Sequence, residues 1–376
     1  MRARSTCPTG GSPRRCRGER TRAFGALSCF EVVLLNLLEP WILLRLVAGI
    51  VVVALLIRGA WTALKVLRRF DVVDVSEGQL ALEKQVDLAS TLLRVAIVIQ
   101  VGSLALSVLA ADRLSHGIRG AMCAYGVFHA NEWGFRSLFA TLGVAVVGGI
   151  VAQAYALDAK LPRLELVKPL AWLTVLVAPL AMADLALTST FLLNLDLSIT
   201  ASCCSVQLDS AAAGNGGFAN GPRAIVALLA PAVVLVAIAL ALFVSKNPKR
   251  ARVAFSGAFS LVAMPLAIAA AVLEVAPYAF ELPEHVCPFC LLKGDVLGIG
   301  YPLFGAILLA TMWGGGAMLS AFLARRLSED QSRSIFEPFA RARLRREAFA
   351  WMVVLVVGAA PIVRYAAITG GGSLFP

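Results

Sequence analysis

Residues 224–244 read AIVALLAPAVVLVAIALALFV, twenty-one positions without a charged or polar side chain, with Arg223 directly before and Lys246 close behind. A helix rises 1.5 Å per residue, so this run covers about 30 Å, the thickness of the hydrocarbon core of a bilayer. Seven further apolar runs of similar length lie at 36–57, 91–111, 137–157, 170–194, 256–280, 301–324 and 348–368. Glu39, Pro40 and Arg45 interrupt the first, and Arg94 and Gln100 interrupt the second. The expected fold is therefore all-α: a polytopic membrane protein of about eight transmembrane helices.

The whole chain agrees with that reading. Of its 376 residues 59% are hydrophobic and only 15% charged, with a mean hydropathy of +0.81, which is too apolar for an ordinary soluble domain. A net charge of +11 is no sign of a nucleic-acid partner, because the basic residues cluster between the apolar runs, where they act as topology signals. The connections after spans one, three, five and seven hold twenty Lys and Arg, including Arg68, Arg69, Lys160, Lys249, Arg250, Arg325 and Arg326. The other connections hold five: Arg113, Arg119, Arg136, Arg223 and Lys293. By the positive-inside rule both termini lie outside, in the periplasm if the membrane is a bacterial inner membrane. Residues 1–30 oppose the rule with seven arginines, and read as a disordered basic extension before a single helical domain, 31–376.

Residues 70–90 and 325–347 read as surface helices, the second a basic one along the inner leaflet. Neither contains a phosphate-binding loop or a dinucleotide motif, which argues against an ATP-driven machine. Gly143, Gly148 and Gly149 in the third span and Gly314, Gly315 and Gly316 in the seventh suit close helix packing. Charged groups inside spans are costly and need partners. Arg45 is paired with Asp184, and Glu274 with Arg364.

The chemistry concentrates on the expected outer face. Cys123, the adjacent Cys203 and Cys204, Cys287 and Cys290, with His116, His129 and His285, all fall in connections poor in Lys and Arg. Thiols and imidazoles carry redox and soft-metal chemistry. In the motif Cys287-Pro288-Phe289-Cys290, Pro288 suits the first turn of a helix, which would place Cys287 at a helix N-terminus where a thiolate is stabilised. Cys290, three residues on, can resolve a mixed disulfide. A closed disulfide or half of a zinc site remains an alternative. Cys203 and Cys204 would close a strained ring as a disulfide, or capture soft ions as dithiolates. Met122 beside Cys123 is a candidate soft ligand, and aromatic packing of Met122, Tyr125, Phe128 and Trp133 is the plainer reading. Leu291 follows the CxxC where c-type haem attachment needs a histidine, so a covalent haem is excluded.

The run Val286-Cys287-Pro288-Phe289-Cys290-Leu291 resembles the membrane-edge CxxC of the vitamin K epoxide reductase family and of the bacterial disulfide-generating protein DsbB. The resemblance covers about a dozen residues, and those proteins are built on a four-helix unit. It implies a CxxC that passes electrons to a quinone and re-oxidises a second cysteine pair. On that basis Cys287 is the expected nucleophile, Cys290 the resolving thiol and Cys203 with Cys204 the loop relay. Glu274, Tyr278 and Phe289 are the residues expected at the quinone, Glu274 as proton donor. Expected partners are the lipid bilayer and periplasmic thiol proteins. Two other readings stay open. One is a soft-metal protein for Cu, Zn or Hg, with Cys123, Met122 and His285 joining Cys203, Cys204, Cys287 and Cys290. The other is a structural or partner-binding subunit held by disulfides.

Overall fold

The structure is a computed structural model that describes residues 40–69, 77–115, 121, 123–162, 165–195, 221–283 and 285–375. Every regular element among them is helical. The long helices are α1 (Pro40–Arg69), α2 (Glu77–Ser115), then, after the short α3 (Ala124–His129), α4 (Trp133–Asp158) and α5 (Val167–Leu193). They continue as α6 (Gly221–Lys246) and α7 (Arg250–Ala270), which runs through a π turn at Ala271–Val275 into α8 (Ala276–Phe280). The last are α9 (Gly300–Leu323), the single turn α10 (Glu329–Gln331) and α11 (Glu337–Ile368). Among the described residues eight helical stretches are long and apolar enough to cross a membrane.

Within the described residues each expected apolar run lies in a helix, and most of these helices are longer than the apolar run. Residues 77–90 are not a separate surface helix but the first turns of α2. Likewise 325–347 does not lie apart as a basic helix: Ser328 caps α10 with its hydroxyl on the Gln331 N–H, and the chain passes through a π turn at Ser332–Phe336 straight into α11. Charges interrupt hydropathy without interrupting backbone hydrogen bonding, so the helices run on past the apolar boundary.

Packing divides the eight into two rings of four that follow chain order. In the first, α1 packs on α2 and α5, and α4 on α2 and α5; in the second, α9 packs on α7 and α11, and α6 on α7 and α11. The main seam between the rings is α4 against α9. Small residues bring its backbones together: a Cβ at Gly149 would strike Met312, one at Gly315 Ile150, and one at Gly316 the Gln153 side chain. Close approach of this kind drives helix association where lipid supplies no hydrophobic force. Gly148 faces Ile97 and Val177 inside the first ring, whereas Gly143 faces open space.

A polar network fastens the first ring. Arg45 of α1 reaches Asp184 of α5 at 3.2 Å, with both side chains almost fully buried. The guanidinium also donates to Ser107 (2.7 Å), Thr141 (3.0 Å) and Thr188 (3.2 Å), and Gln100 donates to Asp184 Oδ2 at 2.9 Å. Each of the four helices thus contributes to one ion-pair network, the arrangement that lets a charge sit at depth.

The second expected pair is corrected. Glu274 meets Arg223, not Arg364, with Nε 2.8 Å from Oε1, while Arg364 binds Glu281 at 3.2 Å in an exposed pair. The reason is topological: α6 and α7 are packed neighbours joined by a short turn, so the start of α6 lies level with the end of α7.

Candidate metal centre

At one end of the seam, Cys123, Cys287 and Cys290 come together. Their three sulfurs lie within 4.8 Å of one another, and Cys123 Sγ is 3.3 Å from Cys287 Sγ. They are buried to 1%, 0% and 7% exposure and packed against Tyr125, Phe280 and Phe289.

Local backbone explains each position. Cys123 precedes the first turn of α3 in an extended conformation and its carbonyl accepts the Gly126 N–H at 3.1 Å. The short α3 then doubles back into α4 through Asn131, whose side-chain oxygen takes the Trp133 N–H and whose amide donates to the carbonyls of Phe191 and Asn194 on α5. Gly134 makes that reversal possible, because a Cβ there would occupy the space of the Phe128 carbonyl.

On the other side, Cys287 and Cys290 belong to a tight turn closed by Leu292 N–H to Phe289 O and Lys293 N–H to Cys290 O. Here the sequence expectation is corrected. Cys287 does not stand at the N-terminus of the seventh span, since α9 begins only at Gly300, and the motif leads instead into a three-residue 3-10 turn, Cys290–Leu292. Pro288 therefore shapes a turn and not a helix start. Gly300 lets this turn rest on α9, since a Cβ would meet the Leu291 carbonyl carbon at 2.9 Å.

His285 flanks the cluster without joining the group of ligand atoms. Its ring lies 4.1 Å from that of Phe280, and its Nε2 is buried with no hydrogen-bond partner among the described residues. Burial pushes the imidazole below its ordinary pKa, Cys123 opposes this and Lys293 acts in the same direction as burial. Lys293 itself lies 4.0 Å from Asp112 at the end of α2, a second tie between the rings at this end.

The aromatic surroundings continue into the first ring, where Phe289 lies tilted against Phe128 (5.6 Å) and Phe135 (6.5 Å). Of the residues expected at a quinone, Phe289 therefore belongs to the thiol cluster. Glu274 and Tyr278 sit a turn apart on another face and meet through Phe375, which lies under the Arg223 guanidinium and 5.7 Å from the Tyr278 ring. Glu274 also lines an apolar cavity with Ala230, Pro231, Leu303 and Gly358. Cys203, Cys204, Met122 and His116 lie outside the described residues.

Chemically the three sulfurs match a soft ion. With metal–sulfur bonds near 2.3 Å, tetrahedral ligands sit about 3.8 Å apart, within the range found here. Comparison with protein-family models, with curated proteins and with solved structures gives no match.

Proposed function

We propose that this chain is an integral protein of a bacterial inner membrane, with both termini and the thiol site on the outer face, that binds a soft metal ion through Cys123, Cys287 and Cys290. The observation that carries the reading is the convergence of three buried thiols from two distant connections to within 4.8 Å. Soft thiolates select Cu(I), Zn(II) or Hg(II) over hard cations. The apolar cage suits metal capture better than exchange with a protein disulfide, since an attacking thiolate needs access to the sulfur. In this reading His285, buried beside Phe280 next to the motif, supports the site from outside the group of three sulfurs. Sensing or transfer of the ion across the outer leaflet is the role this chemistry suits.

Metal analysis of the purified chain, supplied in turn with Cu(I) and Zn(II), tests the reading. About one ion per chain is expected, with loss of at least tenfold affinity in each of Cys123→Ser, Cys287→Ser and Cys290→Ser; a metal-free protein indifferent to all three substitutions would reject it.

A second reading, a thiol–disulfide oxidoreductase that exchanges electrons with a quinone, draws on the 3.3 Å contact between Cys123 and Cys287. Oxidation of those two thiols would need little movement, and Cys290 stands by as resolving thiol. Trapping of free thiols in membranes under oxidising and reducing conditions separates the two: cysteines that never change state exclude redox turnover.

A further inference from the structure

We infer that Glu347 is a proton-binding site inside the second ring, separate from the thiol cluster. The residue is 0% exposed on α11, no ion pair reaches its carboxyl among the described residues, and the polar group that faces it is the Ser260 hydroxyl.

Its neighbours define what it can hold. One turn further on, the fully buried Trp351 donates its indole N–H to Ser260 Oγ of α7 at 2.9 Å, and the Ser260 hydroxyl points to the Ala310 carbonyl at 3.4 Å. Gly314 of α9 faces both groups: a Cβ there would meet Ser260 Oγ at 2.7 Å and Glu347 Cδ at 3.1 Å. Carboxyl and serine thus share a niche that exists because position 314 has no side chain.

Among the described residues no cation pairs with the carboxyl. α9 has no charged residue. On α7, Arg250 is committed to Ser332 and the Leu327 carbonyl, and Arg252 is exposed. On α11 itself Arg341 donates to the Ser245 carbonyl, Arg343 lies over the Phe339 ring, and Arg345 and Arg346 are exposed. On α6, Arg223 is held by Glu274 and Lys246 is exposed. On α4, across the seam, Asp158 accepts the Leu166 N–H and Arg136 pairs with Glu132.

An unpaired buried carboxylate costs several kcal/mol, so something must neutralise it. A hard metal cation needs about six oxygen ligands, and beside the carboxyl the niche offers one hydroxyl, that of Ser260. A proton needs only the carboxyl. The exposed Arg345 and Arg346 directly precede it, so Glu347 lies next to the basic stretch of α11, where a proton can be exchanged with solvent.

Infrared spectroscopy of the full chain, metal-free in detergent and labelled with ¹³C-glutamate, tests this. A protonated-carboxyl C=O band is expected at neutral pH, shifting on transfer to D₂O and missing in Glu347→Gln. A Glu347→Gln spectrum identical to wild type, or a band that stays fixed in D₂O, overturns the proposal. If that variant does not accumulate, the wild-type band is followed against Glu274→Gln: a protonated-glutamate band kept by Glu274→Gln and moved by D₂O supports the assignment, and a band lost in Glu274→Gln refutes it.

Discussion

Gly134 and Leu297 are single residues whose backbones set the loops of the thiol site. A methyl at position 134 would collide with the Phe128 backbone, which cannot rotate away. Gly134→Ala should therefore destabilise the chain by about 1–3 kcal/mol and move Cys123 out of register, measured as faster alkylation of that thiol and weaker metal binding. Leu297 has the opposite character, with a left-handed φ of 58° and 93% exposure, so its side chain offers little to offset the backbone cost. Leu297→Asn should stabilise by about 0.5–1 kcal/mol, because Asn tolerates that conformation, read as a rise in unfolding midpoint. At this scale the sequence displayed the chemistry but not its grouping. Cysteine and histidine are recognisable by type, and their position between the apolar runs marked them as loop residues. That Cys123 faces Cys287 and Cys290 depends on the α3 reversal, which Asn131 and Gly134 create without any hydrophobic pattern. Glu347 escaped notice because Arg345 and Arg346 directly precede it, and a charge run reads as solvated surface.

The network around Arg45 shows how whole helices are fixed. Asp184 is surrounded by donors from α1, α2 and α4, so Asp184→Ala leaves a buried guanidinium uncompensated and should cost about 3–5 kcal/mol, whereas removing both charges in Arg45→Met with Asp184→Leu should cost less than the single change. Thermal unfolding of the four proteins in one detergent gives the comparison; a double variant that is worse than both singles would count against the network. The long apolar helices themselves were legible, since twenty apolar residues in a row have few other uses. Their ends were not, because α2 and α11 keep helical hydrogen bonding through sequences rich in charge. The Arg45–Asp184 pair was also readable from two charges with no other outlet, while Glu274 found its partner through the α6–α7 hairpin, a relation that composition does not encode.

The rings coincide with the two halves of the chain, 40–195 and 221–375, and the seam between them depends on the small residues of α4 and α9. Expressed as two polypeptides divided within 196–220, the halves should insert separately and copurify. Gly316→Leu, which would drive a side chain into Gln153, should reduce that copurification severalfold, as judged by affinity capture of one half and detection of the other. At the far end of the seam, Gln331 donates to Glu165 at 2.7 Å, so the rings are also tied there.

The thiol cluster draws one sulfur from the first half and two from the second. An ion that binds all three acts as a gauge of the gap between the halves, gripping most tightly when the helices stand at one separation. Linkage makes this reciprocal: an ion present at a hundred times its dissociation constant would add about 2.7 kcal/mol to the association of the halves, and any force that parts them would weaken ion binding by the same measure.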